Sequence, residues 1–200
     1  MSKKETRYHH GDLRSTLVEA AAAMIAERGV AGVTMRGLAR RVGVSRTAPY
    51  RHFTDKATLL AAVAEDGFRR ITACIQAARA ERTHDAAQGF LEVCVAYVVF
   101  AIENPTHYRL MFGQEVGDFG AYPGLAAAAR AAFSEVVAVV QWCQQEKAIK
   151  PGPPAKLAQT AWAMAHGLSL LIIDGRIRGA GNIEDLVRAA SRSLLEGIGQ

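Results

Sequence analysis

The chain has 200 residues, half of them hydrophobic, with 24 Lys/Arg against 19 Asp/Glu and a formal net charge of +5. That apolar content suffices for a sizeable buried core and excludes an intrinsically disordered chain. The charge is uneven: residues 1–60 carry 11 Lys/Arg and 5 Asp/Glu, residues 61–200 carry 13 and 14, so a basic front module suited to a polyanion precedes a near-neutral apolar one.

The opening residues lack the apolar run of a secretion signal, and Asp12 and Glu19 argue against a transit peptide, so a cytoplasmic location is expected. The most apolar windows, near 86–102 and 157–173, are short for a membrane span and contain Glu92, Gln159 and His166. They read as buried helices, with no membrane partner. Cys74, Cys94 and Cys143 are far apart, odd in number and form no CxxC pair, which points to free thiols rather than a disulfide framework or a zinc site. No metal or cofactor is expected, and His9 and His10 are assigned to a mobile arm over residues 1–10.

Sustained apolar/polar alternation is missing throughout, so the expected fold is all-α, with about nine helices. Asp12 is placed to cap a first helix ending at Arg28, with Leu13, Leu17, Ala20, Ala21, Met24 and Ile25 spaced by three and four, and Gly29 as its stop. Thr34 starts a short second helix that stops at Gly43, and Ser45 starts a third reaching about His52. Thr54 or Asp55 begins a long fourth helix whose inward stripe is Leu59, Leu60, Val63, Phe68, Ile71 and Ile75. Further helices are expected at 86–102, from Pro105 to Phe112, and at about 125–147, 155–176 and 183–198. The glycine-rich stretch 113–124 and the Pro-Gly-Pro-Pro turn at 151–154 separate some of them.

The segment from Thr34 to Lys56 carries the chemistry. Two short helices meeting across about three residues make a helix-turn-helix, in which Leu38, Val42, Val44 and Phe53 pack inward and Gly43 supplies the tight turn. Ser45, Arg46, Thr47, Ala48, Tyr50, Arg51 and His52 are then left outward. In the major groove Arg46 suits guanine, Thr47 offers a hydrogen bond, and Ala48 or the Thr47 methyl suits thymine. Tyr50, His52 and Lys56 are better placed for phosphates, as is Thr34 at a helix N-terminus. Arg14, Arg36, Arg40 and Arg41 are read as solvated or non-specifically attractive charges. Gly37 weakens the second helix, and Pro49 stands near the first turn of the third.

Over residues 9–65 this pattern resembles the TetR family of bacterial regulators, and the opening His9-His10-Gly11-Asp12-Leu13-Arg14 is similar to the start of many of them. The cluster from Trp162 to Leu168 resembles the Trp/His/Gly pattern of one C-terminal class in that family. The resemblance implies a helix-turn-helix DNA-binding domain over 1–55 and a helical sensing and dimerisation domain over 56–200. It also implies a homodimer on a double-stranded, palindromic operator, with a small-molecule effector. The last two long helices would carry the dimer, through Trp162, Gly167, Leu171, Leu186, Val187, Ala190, Leu194 and Ile198. Candidates for an apolar effector cavity are Phe90, Cys94, Tyr97, Tyr108, Met111, Phe112, Phe119, Trp142, Trp162 and His166. An enzyme is disfavoured, for the chain has no GxSxG, Walker or HExxH motif. The alternative kept open is a constitutive DNA-binding regulator or activator whose rear domain only dimerises.

Overall fold

The computed structural model describes residues 13–80, 85–177 and 181–198, the side chain of Ile198 excepted. The arm 1–10, Asp12 as a cap, and the Ile198 side chain therefore lie outside the described residues. Among those described, the chain forms eight α-helices and no strand.

Helix α1 (Leu13–Arg28) buries Leu17, Val18, Ala21, Ala22, Met24 and Ile25, one stripe at a spacing of three and four. It stops at Gly29, where φ is +68° and the amide donates to the Ile25 carbonyl at 2.8 Å. In α2 (Met35–Val42), the Thr34 hydroxyl oxygen accepts the Gly37 N–H at 3.0 Å. A Cβ on residue 37 would lie 2.9 Å from that same oxygen and 3.4 Å from Met24 Cε. The glycine that lowers helix propensity by about 1 kcal/mol thus makes room for the cap and for α1. Gly43, at φ +77°, ends α2 and turns its N–H back to Ala39 and Arg40.

The third helix expected over 45–52 takes a tighter form. Ala48 donates to Ser45 at 3.0 Å, Tyr50 to Thr47 at 3.2 Å, Arg51 to Ala48 at 3.2 Å and His52 to Pro49 at 3.0 Å, all three residues back, and Pro49–Arg51 is a 3-10 turn. Pro49 has no N–H for the carbonyl of Ser45 four residues back; Ala48 takes that carbonyl instead and the chain tightens. The Pro49 ring is buried beneath the turn.

Asp55 begins α3 (Lys56–Ala80), its carboxylate accepting the Thr58 amide at 2.7 Å and the Thr58 hydroxyl at 2.9 Å. These bonds hold the Asp55 carboxyl below its usual range. The helix packs on α1 in front and, behind, on α4 (Ala86–Glu103), α5 (Pro105–Phe112) and α6 (Pro123–Gln145). Helix α4 is capped by Asp85 and packs against α3, α5 and α6, and against α7 (Pro154–Ile173) and α8 (Ile183–Ile198). By length and composition α4 and α6 could each cross a membrane; α4 owes its apolarity to five packed neighbours. An Arg188 ion pair with Glu92 ties α8 to α4.

Two close approaches set how the rear helices sit on α3. At Gly67 a Cβ would lie 2.6 Å from Met111 Sδ and 3.1 Å from His107 Cβ, so α5 packs directly on the α3 backbone. At the start of α6, a Cβ on Gly124 would lie 2.7 Å from Glu65 Oε2. The largely buried Glu65 carboxylate thus sits at a helix N-terminus, where negative charge is favourable. It also pairs with Arg69 at 2.5 Å and faces Arg14 of α1 at 3.8 Å.

Candidate nucleic-acid interface and effector cavity

The turn between α2 and α3 has one buried and one open side. Leu38, Val42, Pro49 and Phe53 are buried with Val44 packed against them, while Thr34, Ser45, Arg46, Thr47, Tyr50, Arg51 and His52 are exposed. Ala48 and Lys56 are half-buried on the rim. Tyr50 is 55% exposed, one of only two large hydrophobic side chains so exposed among the described residues. An aromatic ring left in solvent beside Arg46, Arg51 and His52 has no packing role. The Ser45 and Thr47 hydroxyls lie 3.2 Å apart, which orders the start of the turn.

Two arginines have structural work. Arg41 forms a two-pronged bridge to Glu27 of α1, at 2.6 and 2.7 Å, which lowers the Glu27 carboxyl and locks α2 to α1. Arg14 lies 5.6 Å over the Phe53 ring and close to Glu65. Both belong to the scaffold of the head.

Behind the head, α3, α4, α5, α6, α7 and the stretch after α5 line a half-open cavity of about 370 Å³. Its walls are Phe68, Ile71, Ile75, Tyr97, Met111, Phe112, Gly113, Phe119, Ala129, Ala132, Phe133, Val136 and Trp162, and none of the thirteen is charged. Among the residues expected there, Tyr97, Met111, Phe112, Phe119 and Trp162 line it. Phe90 and Cys94 line a smaller chamber next to it. Tyr108 is fully buried and His166 half-buried behind the Phe112 ring, 4.9 and 4.6 Å from it between centroids. Trp142 lies at neither chamber; it packs on the outside of the core. Sequence reasoning placed Phe68, Ile71 and Ile75 on an inward stripe without distinguishing a hole from packed core, and it passed over Phe133 and Val136.

Beside the cavity runs a chain of three side-chain hydrogen bonds. The Trp162 indole N–H donates to Tyr97 Oη at 3.0 Å, the Tyr97 and Tyr108 hydroxyls are hydrogen-bonded at 3.1 Å, and the Tyr108 hydroxyl is bonded to His166 Nδ1 at 2.7 Å. The indole can only donate, so Tyr97 Oη accepts there, and a neutral His166 with a bare Nδ1 accepts from Tyr108. Burial lowers the His166 pKa and so favours that neutral form. Burial likewise raises both tyrosines, Tyr108 to about 12, and the thiols of Cys94 and Cys143, to about 11 and 12.

Helices α7 and α8 bury little within the chain: Ala158, Ala161, Ala165 and Ser169 on one, Val187 and Ser191 on the other. Leu171 is 45% exposed, nothing stands within 4 Å of a Cβ at Gly167, and Leu186, Ala190 and Leu194 are half-buried. One interface assignment changes. Val187 is fully buried within the chain, while the half-buried Trp162 indole lies in the cavity wall, bonded to Tyr97.

Residues 17–63 match the family model for bacterial regulatory proteins of the tetR family, and residues 90–194 match the model for the tetracyclin repressor-like C-terminal domain. The HTH-type transcriptional regulator Rv1816 of Mycobacterium tuberculosis is 24% identical over 131 residues, covering 63% of this chain and 56% of that protein's length. A solved structure from Rhodococcus sp. RHA1, of unknown function, is 36% identical with a TM-score of 0.87, covering 98% of this chain and all of that one. FadR from Bacillus subtilis, solved in complex with stearoyl-CoA, shares the fold alone: 13% identity and a TM-score of 0.75, over 92% of this chain and 98% of that one. With the two models matching a helix-turn-helix whose open face is basic and a helical rear domain, the chain belongs to the TetR family of bacterial regulatory proteins.

Proposed function

We propose that this protein is a cytoplasmic, homodimeric repressor that leaves its DNA operator when an uncharged apolar molecule fills the cavity behind its head. In this reading residues 1–55 are the DNA-binding module and 56–200 the sensing and dimerisation module. The observation that carries the first half is Tyr50, held in solvent among basic and hydroxyl side chains on a turn whose other side is fixed by Pro49 and Phe53. Arg46, Thr47 and Ala48 read bases; Thr34, Ser45, Tyr50, Arg51, His52 and Lys56 hold the backbone.

A partner chain would cover the outer faces of α7 and α8, at Gly167, Leu171, Leu186, Ala190 and Leu194. A two-fold dimer presents two heads, and tight binding needs them about 34–36 Å apart, one turn of the duplex. A ligand acts only through its differential affinity for the two head spacings. Helix α3 is the natural lever, because it contributes Phe68, Ile71 and Ile75 to the cavity and packs on α1.

Fluorescence-anisotropy binding to the DNA upstream of the protein's own gene, with and without apolar compounds, tests both halves. Release by one compound supports the repressor. Specific binding indifferent to every compound that enters the cavity would turn the reading to a constitutive regulator with a purely dimerising rear domain.

A further inference from the structure

The cavity has an annex. A chamber of about 30 Å³, room for one or two waters, lies beyond it and is lined by Phe90, Val93, Cys94 and Val139 together with Ala161 and Ala165 of α7. Ile75, Tyr97, Val136 and Trp162 line both spaces. The divider is therefore made of side chains, and its largest member is the Trp162 indole. That indole is latched by its N–H to Tyr97 Oη at 3.0 Å, and Tyr97 is held in turn through Tyr108 to His166. Behind the latch, Ala161 and Ala165 supply only methyl groups, so the volume beyond the divider is kept small by the indole itself.

We propose that Trp162, latched by Tyr97, is a partition that sets the length of the uncharged apolar ligand the cavity accepts. This rests on the reading of the cavity as the effector site. A chain that fits the large chamber gains about fourfold in affinity for each methylene it buries. One that reaches the indole gains nothing more unless the ring swings aside, which breaks the bond to Tyr97 and joins the annex to the main chamber. No charged side chain lines either space, so a charged group reaching the divider would lose its water without a partner.

The test is calorimetric titration of the full chain with 1-alkanols from hexanol to dodecanol. In the unmodified protein affinity should climb about fourfold per carbon and then break. In Trp162→Ala the climb should continue for several more carbons, while Trp162→Phe, which keeps a ring, should break close to the original length. In Tyr97→Phe the affinity ratio of long to short alkanols should rise about fivefold, the worth of one hydrogen bond no longer broken on opening. An unmoved break in a folded Trp162→Ala protein overturns the partition while leaving the effector site standing. If that variant does not fold, an unchanged long-to-short ratio in Tyr97→Phe overturns it instead. Failure of every alkanol to bind every variant removes the effector site and the partition together.

Discussion

Replacing Tyr108 by Phe cuts the buried hydrogen-bond chain at its middle. With Tyr97 donating to Tyr108, the Tyr97 hydroxyl, on a residue only 5% exposed, then keeps a proton with no acceptor. An orphaned buried donor costs about 1–3 kcal/mol, while His166, half-buried, can turn to water. A loss of about 2 kcal/mol should lower the melting temperature by roughly 4–8 °C at this chain length. The double variant Tyr97→Phe/Tyr108→Phe removes the orphan as well. It leaves only the half-buried Trp162 and His166 without partners, and should be more stable than Tyr108→Phe alone by about 1 kcal/mol. Guanidinium unfolding at one fixed protein concentration measures all three, the concentration being held because association contributes to stability. A double variant less stable than the single one would refute the proposed direction of the chain.

Arg46→Ala should weaken binding to the operator selectively, whereas Tyr50→Ala or Lys56→Ala should weaken binding to all sequences, and only Lys56→Ala, which removes a cation, should also reduce the salt slope by about one; anisotropy titrations between 50 and 200 mM salt separate these outcomes. Leu194→Asp should give monomers in analytical ultracentrifugation, with poor operator binding; a surviving dimer would place the interface elsewhere. Gly67→Leu should destabilise the chain by about 1–3 kcal/mol, because Met111 and the backbone of α5 must retreat; an unchanged melting curve would deny the close packing of α5 on α3. The folded state holds His166 below its ordinary value of 6.5, so the unfolded chain binds more protons as pH drops past that value. Its contribution to stability should be full above about pH 6.5 and decline below it, and replacing His166 by Phe should abolish that part of the slope in denaturation measured from pH 8 to 5.

Local chemistry made the head legible. Thr34, Gly43 and Asp55 act on neighbours within four residues, and the spacing of Leu38, Val42 and Phe53 fixes which side is buried. The missing third helix has a local cause too, the absent Pro49 N–H, but one residue had to outweigh a helical pattern over eight. The rear domain was less legible because its decisive contacts are distant in sequence. Phe133 meets Trp162 only after α6 folds across α7, and periodicity cannot tell a residue facing a hole from one facing packed core. Val187 was assigned outward because it belongs to the one broad apolar face of α8, and only the position of α4 decides which edge of that face is buried within the chain.

Glu65 has a consequence for building hybrids. Its carboxylate lies between Arg14 of α1 and the first turn of α6, where residue 124 has no side chain. A front half transplanted onto another rear half would bring this negative charge against a foreign helix, where a side chain at the position of Gly124 would collide with it. Arg14, Glu65 and Gly124 therefore travel as a set: a chimera joined within α3 should couple its two halves only where all three come from the same parent.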